Sequence, residues 1–185
     1  MNKKGIVRAN AGFSLLEVTI TMVLLAVAGG AVVSAIISNI MAGKVNRETA
    51  LAHESCRRNM EQVQSIAFGD IFATFNADPA DDPGGLGLGR GNSFVPPGMD
   101  PVTGDPDGIV GLIEFPTVSD GAVEQLREDV VDPDLGMPRD LNLDGIIDAA
   151  DHSGDYAILP IRVRVDFAGV TGSRTYDIVT TLSVL

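Results

Sequence analysis

The chain has 185 residues and a formal charge of −12, with 25 acids against 13 lysines and arginines, and a single cysteine. That length allows one modest domain plus an anchor and excludes a second large domain. Between residues 70 and 155, nineteen acids face Arg90, Arg127 and Arg139, which excludes nucleic acid as an expected partner, since phosphate contacts need cations. Carboxylates this dense suit a solvated extracytoplasmic surface or a hard cation such as calcium.

Residues 1–12 form a basic, polar leader carrying Lys3, Lys4 and Arg8, which by the positive-inside rule predicts a cytoplasmic N-terminus and an extracytoplasmic remainder. Gly12-Phe13-Ser14-Leu15-Leu16-Glu17 follows, and then twenty residues, 18–37, without a charge. As a helix this run spans about 30 Å, the thickness of a hydrocarbon core. Ala26, Ala28, Gly29, Gly30 and Ala31 allow close approach of another helix. Glu17 stands out, because a carboxylate at the bilayer centre costs roughly 2.5–3.5 kcal/mol. A secretory signal peptide is the competing reading, with a cut near Ala28-Gly29-Gly30-Ala31. Glu17 and the continuation of the apolar run to Ile37 argue against it.

Gly12 to Glu17 after a short basic leader resembles the processing site of type IV pilins and of type II secretion pseudopilins. The resemblance covers about the first thirty residues. It implies cleavage by a prepilin peptidase between Gly12 and Phe13, N-methylation of Phe13, and use of Glu17 in peptidase recognition, methylation and assembly. It also implies further partners: other pilin or pseudopilin subunits, an inner-membrane assembly platform, and membrane lipid before assembly. The implied location is the bacterial inner membrane, as a single pass with the N-terminus cytoplasmic and the head extracytoplasmic, followed by a periplasmic or surface filament. A free α-amine has a pKa of about 7.7–8.0 and is largely protonated at neutral pH, so the Phe13 amine of one subunit is expected to pair with Glu17 of its neighbour. In such filaments this helix partly unwinds near a glycine and a proline; Gly29-Gly30 is the counterpart, although Ser34 stands where many pilins carry the proline. The lone Cys56 departs from the disulfide-closed C-terminal loop of many major pilins, and reads as a small buried residue.

Residues 44–68 contain no glycine or proline and predict a continued helix, with Val45, Ala52, Cys56, Met60, Val63 and Ala67 forming one apolar stripe. This stretch looks like the continuation in minor pilins and the I-type minor pseudopilin. His53 reads as a surface or interface residue. Residues 70–108 are punctuated by aspartate, proline and glycine and predict a long loop. Its Gly84 to Gly91 portion lacks the patterns of a phosphate cradle. Residues 109–115 read as a short strand ended by Pro116, and residues 121–130 as one or two helical turns.

Residues 140–151, Asp-Leu-Asn-Leu-Asp-Gly-Ile-Ile-Asp-Ala-Ala-Asp, match D-x-[DN]-x-[DN]-G with an acid at the twelfth place. Side-chain oxygens of Asp140, Asn142 and Asp144 would converge on one Ca2+ because Gly145 permits the sharp turn. Ile146 would offer its carbonyl, Asp148 a direct or water-mediated contact, and Asp151 would close the sphere. The aspartate ending resembles dockerin loops rather than EF-hands proper, and Ile147 resembles the hydrophobe such loops turn inward. Pro133 and Pro138 before the loop and Gly154 after it oppose a full helix-loop-helix. The alternative is an acidic turn without an ion, since Asp, Asn and Gly also form turns. His152 beside the loop is not needed as a calcium ligand.

Residues 158–185 alternate with a period of two and predict a C-terminal hairpin, whose apolar face needs the helix stripe as cover. The expected fold is α+β: a long N-terminal helix, membrane half plus amphipathic half, packed on a small antiparallel sheet with long Gly/Pro/Asp-rich loops. The expected divisions are a leader at 1–12, a membrane or filament-core helix at 13–43, its amphipathic continuation at 44–75, and an acidic head at 76–185, with loops to 157 and the hairpin from 158. The expected function is a minor pilin or pseudopilin of a pilus or secretion filament with a calcium-stabilised head. The alternative is a membrane-anchored, calcium-dependent binding or adhesion module that does not polymerise. No nucleophile motif and no HExxH occur, so no enzyme is expected.

Overall fold

The computed structural model describes residues 12–120 and 123–184; the basic leader ahead of Gly12 lies outside them. The chain divides into two units, Met1–Gly43 and Lys44–Leu185. Helix α1, Leu15–Gln64, has 50 residues and is about 75 Å long. In the first unit it is long and apolar enough to cross a membrane, and its side chains are exposed all round, as lipid or neighbouring helices require. Its two threonines satisfy their hydroxyls internally, Thr19 donating to the Leu16 carbonyl at 2.8 Å and Thr21 to that of Glu17 at 2.6 Å. The helix runs unbroken through Gly29 and Gly30.

In the second unit α1 buries Ala52, Ser55, Cys56, Met60 and Val63, a stripe at helical spacing. The helix ends at Gln64, four residues before the predicted Phe68. The last turn tightens as Ile66 N–H bonds the Val63 carbonyl at 3.2 Å, and Ala67 is extended at ψ 133°. A 3-10 turn, Phe68–Asp70, leads into helix α2, Ile71–Phe75, which buries Ile71, Phe72 and Phe75. Burying each such side chain contributes about 1.5–3 kcal/mol, against helix propensities spanning about 0.7 kcal/mol for ordinary residues. Packing therefore overrides the local preference to continue. Ala67, expected on the buried stripe, is exposed.

Strands β1 (Ser93–Phe94), β2 (Gly111–Glu114), β5 (Ile158–Gly169) and β6 (Gly172–Ser183) form an antiparallel sheet in the order β1-β2-β5-β6. Strands β5 and β6 are the predicted hairpin, in register from Ile158 opposite Ser183 to Gly169 opposite Gly172. Leu159, Ile161, Val163 and Val165 are fully buried and Phe167 nearly so. Tyr176, Ile178 and Leu182 on β6 pack against the same core, and the His53 ring of α1 meets Tyr176 edge-on at 5.7 Å. Gly111 is required by close approach, because a Cβ there would overlap the Phe94 ring. The architecture is the expected α+β one, a long helix and a small antiparallel sheet.

The helical turns expected over residues 121–130 are not there. Strands β3 (Thr117–Asp120) and β4 (Val123–Leu126) pair as a separate two-stranded sheet, and Leu126 is fully buried. Asp120 pairs with Val123, and Gly121 and Ala122 lie outside the described residues. Pairing with β3 and burial of Leu126 outweigh the local helical character of Val-Glu-Gln-Leu.

On the other face of β5, Arg162 pins the segment after β4. Its guanidinium donates to both oxygens of Asp132 at 2.8 and 3.0 Å and to Glu114 at 3.1 Å, with 12% of the side chain exposed. Burial alone would raise the Asp132 pKa, but the Leu135 N–H and the Arg162 guanidinium outweigh it and hold the carboxyl below its ordinary value. A carboxyl so depressed contributes stability that is complete above the unfolded pKa of about 3.9 and lost as pH falls through the lower folded value. The stability gap between the native chain and Asp132→Asn is therefore expected to be widest near neutrality and to close below pH ~3.9. Thermal melts across pH in detergent measure it; a gap unchanged at acid pH would contradict the pair's role.

Candidate functional site

Two regions carry the predicted site residues. At the N-terminus, Ser14 precedes α1 and its carbonyl accepts the Val18 N–H at 3.1 Å, which places Glu17 in the first helical turn. A carboxylate there meets the positive end of the helix dipole. Phe13 is 82% exposed, and among the described residues no cation pairs with Glu17.

The second region is the loop of residues 140–151, which Leu141 anchors. Its side chain is fully buried, and its carbonyl accepts the N–H groups of Ala157 and Ile158 at 2.8 and 2.9 Å, tying the loop to the start of β5. Leu141 therefore fills the inward role expected of Ile147, which is 50% exposed. Beyond Leu141 the loop winds tightly, with Leu143 at φ 64° and Gly145 at φ 90°.

Four of the five predicted side-chain ligands each hold a backbone N–H of this loop. Asp140 accepts from Leu143 at 2.6 Å and Gly145 at 2.8 Å, Asn142 from Asp144 at 3.0 Å, and Asp144 from Ile146 at 2.8 Å. Asp148 accepts from Ala150 at 2.7 Å. Asp151 turns to β4 instead, accepting from Leu126 and Ser153, both at 3.1 Å. These bonds keep residues 140–146 in one turn, and they are also what an acidic turn without an ion would make.

The residue that sequence reasoning missed is Glu128. It is fully buried, and one carboxylate oxygen accepts from Leu141 at 2.6 Å and Asn142 at 3.2 Å while the other accepts from Asp148 at 3.2 Å. It therefore closes the loop from beneath. Nothing in its spacing to the loop announces this role, because the chain between it and Asp140 is irregular. His152, 4% exposed, sits between Asp148 at 3.2 Å and Asp155 at 3.1 Å, with Glu128 at 3.8 Å. Burial would lower the His152 pKa, but the Asp148 and Asp155 hydrogen bonds and the Glu128 charge outweigh it and raise it above the ordinary value. The Ala150 N–H, followed by His152, holds Asp148 below its ordinary value.

Among the described residues, Glu128, Asp148 and His152 form a candidate metal-binding triad, with one ligand atom from each lying within 4.8 Å of the others. Asp148 is the predicted ligand that this group includes. The donors at Asp140, Asn142 and Asp144 are hard oxygens with lone pairs to spare beyond the bonds described. No described lysine or arginine pairs with Asp140, Asp144 or Asp151, so the loop's charge is offset only by His152 at Asp148. The donor set therefore fits Ca2+ in chemistry, with Asp151 turned aside.

Residues 7–33 match the family described as the prokaryotic N-terminal methylation motif. The match spans Gly12, Phe13 and Glu17 and runs on into the apolar part of α1. No curated protein and no solved structure matches the chain.

Proposed function

We propose that this chain is a structural subunit, a minor pilin or pseudopilin, of a type IV pilus or type II secretion filament. The observation that carries the reading is the methylation-motif match over residues 7–33, supported by an exposed helix apolar enough to cross a membrane. On this reading residues 1–12 are a leader removed by prepilin peptidase between Gly12 and Phe13. Residues 13–43 store the chain in the inner membrane and then enter the filament core. The helix from residue 44 and the acidic head through residue 185 remain outside. Cleavage exposes the Phe13 amine, and Glu17 of the neighbouring subunit neutralises it. Mass spectrometry of the membrane-extracted chain should find methyl-Phe13 at the N-terminus. A chain that retains Met1, or one that starts near Ala31, would overturn the assignment, and an intact N-terminus without polymer would favour a tethered binding module.

The head is held by Ca2+ at residues 140–151, through Asp140, Asn142, Asp144 and the Ile146 carbonyl, with Asp148 directly or through water and Asp151 closing the sphere once it turns from Leu126. What supports this is the unneutralised oxygen set gathered on one tight turn. Calcium would add two positive charges where the loop has few of its own, coupling ion binding to folding of the segment. Calorimetry on the full chain in detergent should show calcium binding that Asp140→Ala and Asp144→Ala each abolish. A flat trace with the unmutated chain would leave the acidic turn as the correct account.

A further inference from the structure

We propose that Glu128, Asp148 and His152 hold a first-row transition ion of the zinc class, at a site that meets the oxygen loop only at Asp148, whose Oδ1 faces His152 and whose Oδ2 is left for the loop's ion. Zinc binds imidazole nitrogen at about 2.0–2.1 Å and carboxylate oxygen at about 2.0–2.2 Å, so neighbouring donors of a tetrahedral site lie about 3.3 Å apart. Here the His152 Nε2 lies 3.2 Å from Asp148 Oδ1 and 3.8 Å from Glu128 Oε2, near that spacing before any ion draws them in. A proton on Nε2 serves Asp148 at hydrogen-bond distance but leaves Glu128 Oε2 beyond it; a dication that displaces this proton contacts all three atoms at once.

The surroundings fit a ligand set. His152 Nδ1 faces Asp155 Oδ1 at 3.1 Å, a group that when ionised only accepts, so Nδ1 keeps its proton when a metal displaces the one that Nε2 shares with Asp148. Metal-binding histidines characteristically donate their second ring N–H to a carboxylate in this way. Glu128 is fully buried and held by three backbone N–H groups, and its Oε2 keeps a lone pair after accepting from Asp148. Imidazole favours zinc, copper or nickel, whereas calcium prefers an all-oxygen shell. Asp148 has 48% of its side chain exposed, which provides an entry path and leaves the fourth position to water. The site concerns the head alone and stands or falls independently of how the N-terminus is processed.

The test uses the full chain in detergent, stripped with chelator and titrated with Zn2+ in excess Ca2+, which occupies the oxygen loop. One equivalent of zinc should bind. Asp155→Asn, which touches only the outer ring nitrogen, should weaken it about 10–100-fold, and His152→Gln by more than about 100-fold. Asp140→Ala should leave zinc binding unchanged. No zinc binding under these conditions, equal binding by His152→Gln, or loss of binding in Asp140→Ala would each overturn the proposal. Because a buried histidine variant can misfold, the ring-nitrogen NMR signals of His152 in the unmutated chain supply a second reading. Zinc should shift Nε2 and leave Nδ1 protonated, and a spectrum that does not respond to zinc refutes the site.

Discussion

Glu17→Ala is expected to leave a chain that is all but absent from filaments. The carboxylate lies in the first turn of an apolar helix and has no cation partner among the described residues; in the proposed filament its partner is the amine of a neighbouring subunit. The α-amine that the proposed cleavage would release at Phe13, with an ordinary pKa of about 7.7–8.0, is cationic at neutral pH. An unpaired charge in a hydrocarbon core costs roughly 2.5–3.5 kcal/mol. Removing Glu17 strands one such charge per subunit, which amounts to about 100-fold in an assembly equilibrium. The helix-dipole contribution of the same carboxylate is about 0.3–1 kcal/mol, too little to produce that loss. Glu17→Gln, which keeps the size and removes the charge, should therefore fail nearly as badly as alanine. Sheared filaments and membrane fractions compared by immunoblot decide it, and normal incorporation of either variant would remove the pairing mechanism.

Glu128→Ala should destabilise the head more than Asp140→Ala, the substitution of an exposed acid of the loop. One buried carboxylate serves three backbone N–H groups, from Leu141, Asn142 and Asp148. Hydrogen bonds to a charged group contribute about 1.5–3 kcal/mol each, and buried donors left without an acceptor cost about 1–3 kcal/mol. Because the bonds share one side chain, the loss is not their sum, and about 3–5 kcal/mol is expected. Against total stabilities of about 5–15 kcal/mol, that is a large fraction. Asp140→Ala, whose partners lie on an exposed turn open to water, should cost about 1 kcal/mol in the absence of metal. Urea unfolding of the full chain in detergent with chelator present separates the two. A smaller loss for Glu128→Ala than for Asp140→Ala would mean that Glu128 does not hold the loop.

These two residues also mark how far a linear reading reaches. Helix α1 and the β5–β6 hairpin announce themselves because burial on one face leaves a period in the sequence, at Ala52, Cys56, Met60 and Val63 and at Ile161, Val163, Val165 and Phe167. The end of α1 does not, because it depends on Phe72 and Phe75 finding space in a core assembled from distant strands. Strand β4 was hidden for a related reason: Ala-Val-Glu-Gln-Leu suits a helix locally, and pairing with β3 decides otherwise. In the loop, the turn-forming residues were legible from spacing, while the inward side chain proved to be Leu141 rather than Ile147. Glu128 and His152 were illegible because their roles arise where β4 and the loop meet. A buried acid carries no mark in sequence that separates it from its exposed neighbour Asp129.

Strand β5 is the one to which the rest of the sheet is tied: β2 and β6 pair along its two edges, and the Leu141 carbonyl bonds at its first residue. In chain order it comes after almost everything that depends on it. Until β5 has emerged, β2 and the loop at 140–151 have no template to settle on. If the head crosses a membrane as the proposed subunit would require, its folding is expected to wait for this late stretch of sequence.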